Sequence, residues 1–272
     1  LEVNPEDVSP AAARAWAAAG VNRVSLGVQS FEPKALEWMH RQHSADDVVA
    51  AVRSIREAGI AELSLDLIFA IPEMLGRSWT NDLNRVLELE PDHLSLYGLT
   101  VEAATPLGKW VARQTVSEAP EERYEEEFLE ANRRLTEAGF QHYEVSNYAR
   151  PGRRARHNSA YWSGAAYLGL GPSAHGFDGT ERRWNIGPYA EWAAAASERR
   201  DPVAGSETVT GDSSIAEEVY LGLRTSDGLG IRENETWTVT SWVNAGWAVL
   251  DQSQAEARLR LTPAGWLRLD SL

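Results

Sequence analysis

The sequence predicts an α/β fold built on a parallel sheet, and two observations carry that expectation. Over the first 150 residues, short apolar β-rich runs alternate with longer segments of helical period. Three of those helical segments stop at Gly20, Gly59 and Gly139, each preceded by Ala and each followed closely by the next strand. A repeated "Ala-Gly, short loop, strand" is the pattern of βα units, whose crossovers are right-handed.

The strand runs are Val24 to Gln29, Leu63 to Phe69, Leu94 to Leu99 and His142 to Ser146. Each is mostly apolar, as parallel strands covered on both faces require. Between them lie helical segments over Pro10 to Ala19, Ala45 to Ala58, Ser78 to Leu89 and Glu121 to Ala138. Residues 1–150 therefore read as one β/α domain. A basic, turn-rich connector, Ala149-Arg150-Pro151-Gly152-Arg153-Arg154, opens a second segment, 151–205, that ends with a helix over Tyr189 to Arg199. Asp201 to Gly211 is polar and reads as a linker. In 206–272, helices are expected over Ser213 to Leu223 and Thr240 to Leu250. A strand over Ala257 to Leu261 and a helix started by Pro263 follow, an order that resembles a winged-helix module.

Composition narrows the function. The 272 residues carry a formal charge of −14, which disfavours nonspecific attraction to nucleic acid or anionic lipid. Residues 206–272 hold ten acidic side chains against five arginines, so the winged-helix-like segment has no basic recognition face. There is no cysteine, hence no disulfide and no thiolate metal site, and a cytoplasmic setting fits best. No run approaches the roughly 18 apolar residues of a membrane span. The chain opens on Leu-Glu-Val-Asn-Pro without a Met, which reads as a beginning inside a domain.

In parallel sheets the ligand site lies beyond the carboxyl ends of the strands. Four polar residues stand on strand runs: Glu2, Gln29, Asp66 and Tyr97. Asp66, inside Leu-Ser-Leu-Asp-Leu-Ile, is the most telling, because a carboxylate in an apolar strand is costly unless it is hydrogen-bonded. The densest block is Arg156 to Gly176, which holds His157, Asn158, Tyr161, Trp162 and His175 beside a glycine-rich turn. Such residues suit a planar, partly polar ligand. His40-x-x-His43 would place two imidazoles on one helical face, but no third ligand stands nearby, and Glu125-Glu126-Glu127 reads as the solvated face of a helix.

Five ordered blocks carry a family resemblance: Leu1-Glu2-Val3-Asn4-Pro5, Asn22 to Phe31, Leu65 to Pro72, Tyr143 to Ala149, and Arg156-His157-Asn158-Ser159-Ala160-Tyr161-Trp162. Together they resemble the oxygen-independent coproporphyrinogen III oxidase group of radical S-adenosylmethionine (SAM) proteins. The His-Asn-x-x-Tyr-Trp block with Leu-Gly-Leu-Gly is closer to the HemW heme chaperones than to the oxidases. The resemblance implies a partial (β/α)6 barrel followed by an α+β winged-helix-like extension. It implies SAM contacts at Glu2, Gln29, Arg41, Asp66 and backbone near Thr100, and heme contacts at His157, Tyr161 and Trp162. Carboxylates and a carboxamide accept from ribose hydroxyls, an Arg grips a methionyl carboxylate, and a neutral imidazole ligates heme iron.

The family's C-x3-C-x2-C, which holds a [4Fe–4S] cluster, and its Gly-Gly-Thr-Pro turn have no counterpart here. The family pattern begins at its third strand, as though about a hundred upstream residues were missing. The resemblance implies three readings: a heme chaperone that hands heme to an unidentified acceptor protein, an oxidase that decarboxylates coproporphyrinogen III, or an inactive fragment of either. An open edge strand at Leu1 to Asn4 predicts aggregation or a homodimer.

Overall fold

The computed structural model describes residues 1–232, 236–253 and 257–269. The chain divides into two compact units, Leu1–Arg154 and Ala155–Leu272.

In the first unit the order is β1 (Glu2–Val3), α1 (Pro10–Ala18), β2 (Arg23–Gln29), α2 (Pro33–Trp38), α3 (Ala45–Glu57) and β3 (Glu62–Phe69). Then come α4 (Trp79–Glu88), β4 (His93–Gly98), α5 (Pro106–Ala112), α6 (Glu121–Glu137), β5 (Gln141–Glu144) and β6 (Asn147–Ala149). Local chemistry sets the helix ends. Ser9 Oγ accepts from Ala12 N at the start of α1, and Ser44 and Asp47 form a reciprocal capping box on α3. Gly20, Gly59 and Gly139 all sit at positive φ, where a Cβ would be penalised, and so stop α1, α3 and α6 as expected.

The strands form one six-stranded sheet in the order β1-β2-β3-β4-β6-β5. Strands β1 to β4 are mutually parallel, while β6 pairs antiparallel with both β4 and β5. The sheet is therefore mixed, and the run expected as one parallel strand over His142 to Ser146 is half of a hairpin. Only Val145 and Ser146 join β5 to β6, far too short a link for a parallel crossover.

Register explains why the sheet keeps polar residues. Leu26, Leu65 and Leu94 are aligned and fully buried, whereas the adjacent rung holds Glu2, Ser25, Ser64 and His93, and the next Gly27, Asp66 and Ser95. Because strand side chains alternate between faces, leucines and valines take one face and the polar rungs the other. The apolar face contributes the core. Burying one such Leu is worth about 2 kcal/mol.

The second unit runs α7 (Arg156–Trp162), β7 (His175–Phe177), β8 (Glu181–Asn185), α8 (Tyr189–Ser197), β9 (Val203–Thr208) and α9 (Gly211–Leu223). It continues with β10 (Leu229–Ile231), α10 (Thr236–Asn244), β11 (Ala248–Asp251), β12 (Ala257–Leu261) and α11 (Pro263–Trp266). Two antiparallel sheets result, β7-β8-β9 and β10-β12-β11. The segment expected as a linker thus contains β9, whose polar residues pair along β8. The helix expected over Thr240 to Leu250 instead ends at Asn244, and Gly246, at φ +76°, turns the chain into β11. Leu259 is fully buried, and Trp266 Nε1 donates to Leu223 O at 3.0 Å, tying α11 to the end of α9.

Candidate functional site

Asp66 sits on the polar face of the first unit's sheet. Ser25 Oγ lies 3.0 and 3.2 Å from its two carboxylate oxygens. Burial pushes its pKa above the ordinary carboxylate range; hydrogen bonds from Ser95 and Ser25 pull it down, while the Glu2 carboxylate pushes it up again. Glu2, exposed and opposite Ser25 in register, therefore shares this face with Asp66.

At the end of β2 the chain bulges between Gly27 and Gln29, and Gln29 adopts φ +64° with its side chain buried. Its carboxamide nitrogen lies 2.8 Å from the position a Cβ on Gly27 would take, and Asn4 Oδ1 lies 3.5 Å from the same position. Gly27 thus opens a cradle that any larger residue would fill. Arg41 Nη1 donates to Asn4 Oδ1 at 3.3 Å, so Asn4 links Arg41 to the cradle, a role that nothing in its own sequence context signals. Thr100 stands two residues beyond β4 on an exposed loop, its hydroxyl 3.4 Å from Gly98 O.

Two other expectations change. The helix before His40 ends at Trp38, and His40 is in a left-handed turn, so His40 and His43 share no helical face. His43 is buried between Glu6 and Val28 O, at 3.1 Å from each. Among the described residues no group of three or more His, Cys, Asp or Glu side chains is placed to hold a metal ion. Glu127 is buried rather than solvated: it accepts from Ala70 N at 2.7 Å, Arg77 Nη2 at 2.9 Å and Arg123 Nε at 3.0 Å. It shares the helical stripe of Ala131 and Leu135, at steps of four residues, and that spacing was available in the sequence.

In the second unit, His157 and Tyr161 lie one turn apart on α7. The imidazole Nε2 is 3.3 Å from the phenol oxygen, and the rings meet edge to face with centroids 5.0 Å apart. Tyr167 packs on Tyr161 at 4.6 Å. Asn158 Nδ2 and Trp162 Nε1 are buried without a hydrogen-bond partner among the described residues. A cleft of about 1000 Å³ adjoins this helix. Tyr161, Trp162, Tyr167, His175, Phe177 and Arg182 contribute to its wall, so Tyr161 and Trp162 reach it while the imidazole in the wall is that of His175.

Residues 1–86 match the radical SAM superfamily. The chain is 34 % identical to the heme chaperone HemW of Bacillus subtilis over 84 % of its own length and 60 % of that protein. It is 37 % identical to the heme chaperone HemW of Mycobacterium tuberculosis over 84 % of its length and 58 % of that protein. Residues 1–86 thus carry a radical SAM domain. Its fold is that of the radical SAM enzyme coproporphyrinogen III oxidase (HemN) from Escherichia coli, with a TM-score of 0.77 at 20 % identity, over 99 % of this chain and 67 % of that one. A partial β/α barrel with an extension is thus the architecture. The chain spans about three fifths of the HemW proteins it matches.

The superfamily implies SAM and a [4Fe–4S] cluster. The polar face fits the first: carboxylates at Glu2 and Asp66, a guanidinium at Arg41 and the cradle over Gly27 supply the acceptors, the cation and the space. These 272 residues do not fit the second, since none is a cysteine. Among the described residues no helix is long and apolar enough to cross a membrane.

Proposed function

We propose that this chain is the heme-binding and SAM-binding part of a heme chaperone, which holds heme and passes it to an acceptor protein. The observation that carries the reading is α7 beside its cleft: His157 and Tyr161 bonded to each other, with Tyr161 and Trp162 opening onto a volume of about 1000 Å³. That is at the upper end of the roughly 300–1,000 Å³ typical of ligand pockets, and suits a large planar molecule. The names of the HemW relatives support it. The cysteine-free composition agrees with a cytoplasmic setting.

SAM, when bound, supplies an adenosine, a sulfonium and an amino-acid end. Glu2 and Asp66 would accept from its ribose hydroxyls, Gln29 beside Gly27 would line its site, Arg41 would pair with its carboxylate, and backbone near Thr100 would complete the site.

Hemin titration of the chain, followed in the Soret band, tests the reading. Saturable binding that weakens in His157→Ala, where the Tyr161 hydroxyl loses its partner, is the expected result. Absence of saturable binding refutes it. Turnover of coproporphyrinogen by the intact protein would favour the oxidase instead.

A further inference from the structure

We infer that His175, rather than His157, is the side chain that ligates the iron of a carboxylate-bearing tetrapyrrole in the cleft, with Arg258 receiving a propionate; this rests on the heme-binding reading above. The argument starts from the two-residue period of β7. His175 and Phe177 lie on one face and both line the cleft, while Gly176 between them is turned away and buried. Across the ladder, His175 is opposite Trp184 and Phe177 opposite Arg182. The His175 and Trp184 rings are 6.0 Å apart, and the Arg182 guanidinium lies 5.5 Å from the Phe177 ring. One sheet face therefore presents an imidazole, two aromatic rings and a cation.

Two close approaches fix this face. A Cβ on Gly169 would sit 2.3 Å from His175 O, and one on Gly205 would sit 2.6 Å from the Trp184 ring. The loop thus presses on the backbone that carries the imidazole, and Trp184 lies flat on β9 behind it. The His175 ring is exposed and has no hydrogen bond among the described residues, which leaves its nitrogens open to a metal. His157 differs in both respects: its Nε2 is engaged by Tyr161, and the cleft wall does not include it. Arg182 is already paired with Glu207 and Glu217. Arg258 also lines the cleft, and its described hydrogen bonds go to the Asp227 and Gly228 carbonyls at 3.4 and 3.0 Å. Those bonds orient the guanidinium without neutralising it, so it retains its charge for a carboxylate.

The test titrates the chain and its variants with hemin and with iron-free protoporphyrin IX. His175→Ala should weaken hemin by about tenfold or more and change its Soret band, while leaving iron-free protoporphyrin unaffected. Arg258→Ala should weaken both. In His175→Cys, the sole thiol of the chain should give hemin a thiolate-type spectrum, a change that a merely structural position would not produce. The assignment to His175 is overturned if His175→Ala keeps the wild-type hemin spectrum and affinity, or loses both porphyrins equally. In either case wild-type hemin binding leaves the chaperone reading standing. Failure of the wild-type chain to bind hemin overturns both.

Discussion

Three histidines of the first unit and both of the second live under opposite conditions. In the first unit, His43 and His93 are buried with both ring nitrogens bonded, and His142 is bonded at both and stacked on Tyr148 with centroids 4.1 Å apart. In the second, His157 and His175 are exposed, one with a single long contact to a phenol and the other with no hydrogen bond among the described residues. Identical side chains thus serve as internal ties at His43, His93 and His142 and lie exposed at His157 and His175. Partner saturation, not residue type, separates them.

That contrast can be broken most forcefully in the first unit. Glu127→Leu leaves Arg77, whose side chain is fully buried, without its closest counter-charge. A loss of about 3–5 kcal/mol in urea-unfolding stability is expected. A cost below 1 kcal/mol would show that Arg77 finds water or Asp82 instead.

The next effect is a pH dependence. Burial lowers the His93 pKa to about 3. Between the unfolded value of about 6.5 and that folded value, only the unfolded chain binds the proton, so stability is lost as pH falls through this window. The contribution is at most about 1.4 kcal/mol per pH unit. Asp66, whose pKa is raised, works in the opposite sense: its folded-state proton stabilises the fold as pH falls. Urea midpoints at pH 7, 6 and 5 in the wild type and in His93→Gln check this, the variant showing the shallower slope.

A smaller change is expected for Asp66→Asn, which keeps a side chain able to meet Ser25 but removes the charge. SAM affinity of the chain, measured by calorimetry, should fall by about 1 kcal/mol or roughly fivefold. An unaltered affinity would remove Asp66 from the site. The smallest effect sharpens the comparison from the other side: His157→Phe should change stability by under about 0.5 kcal/mol, because an exposed side chain with one long contact holds little structure together.

Much of the first unit was legible because helix caps and stops are local. Gly59 and Gly139 act through their own backbone, and Asp66 declared itself by standing in an apolar strand. What sequence could not show depends on long-range pairing. Strand β9, Val-Ala-Gly-Ser-Glu-Thr, has no hydrophobic alternation and is a strand only because β8 lies beside it. The β5–β6 hairpin was hidden because His142 to Ser146 reads as one strand run, although the two-residue link after Glu144 reverses the chain. The acidic neighbours of Glu127 read as a solvated face, whereas its phase with Ala131 and Leu135 points inward. In the second unit the aromatic block was plain. Chain neighbours place His157 beside Tyr161 and Trp162, whereas ladder neighbours nine and five residues apart place His175 and Phe177 in the cleft wall.

The alternating rungs of the first sheet also have an evolutionary reading. Leu26, Leu65 and Leu94 face the helices and carry the burial, while every intervening position faces away from them. A lineage can therefore exchange Ser25, Asp66 or Ser95 for other polar groups and retain the same packed layer. The leucine rungs are bound by the need to fold, while Ser25 and Asp66 on the other face are open to selection for a new ligand.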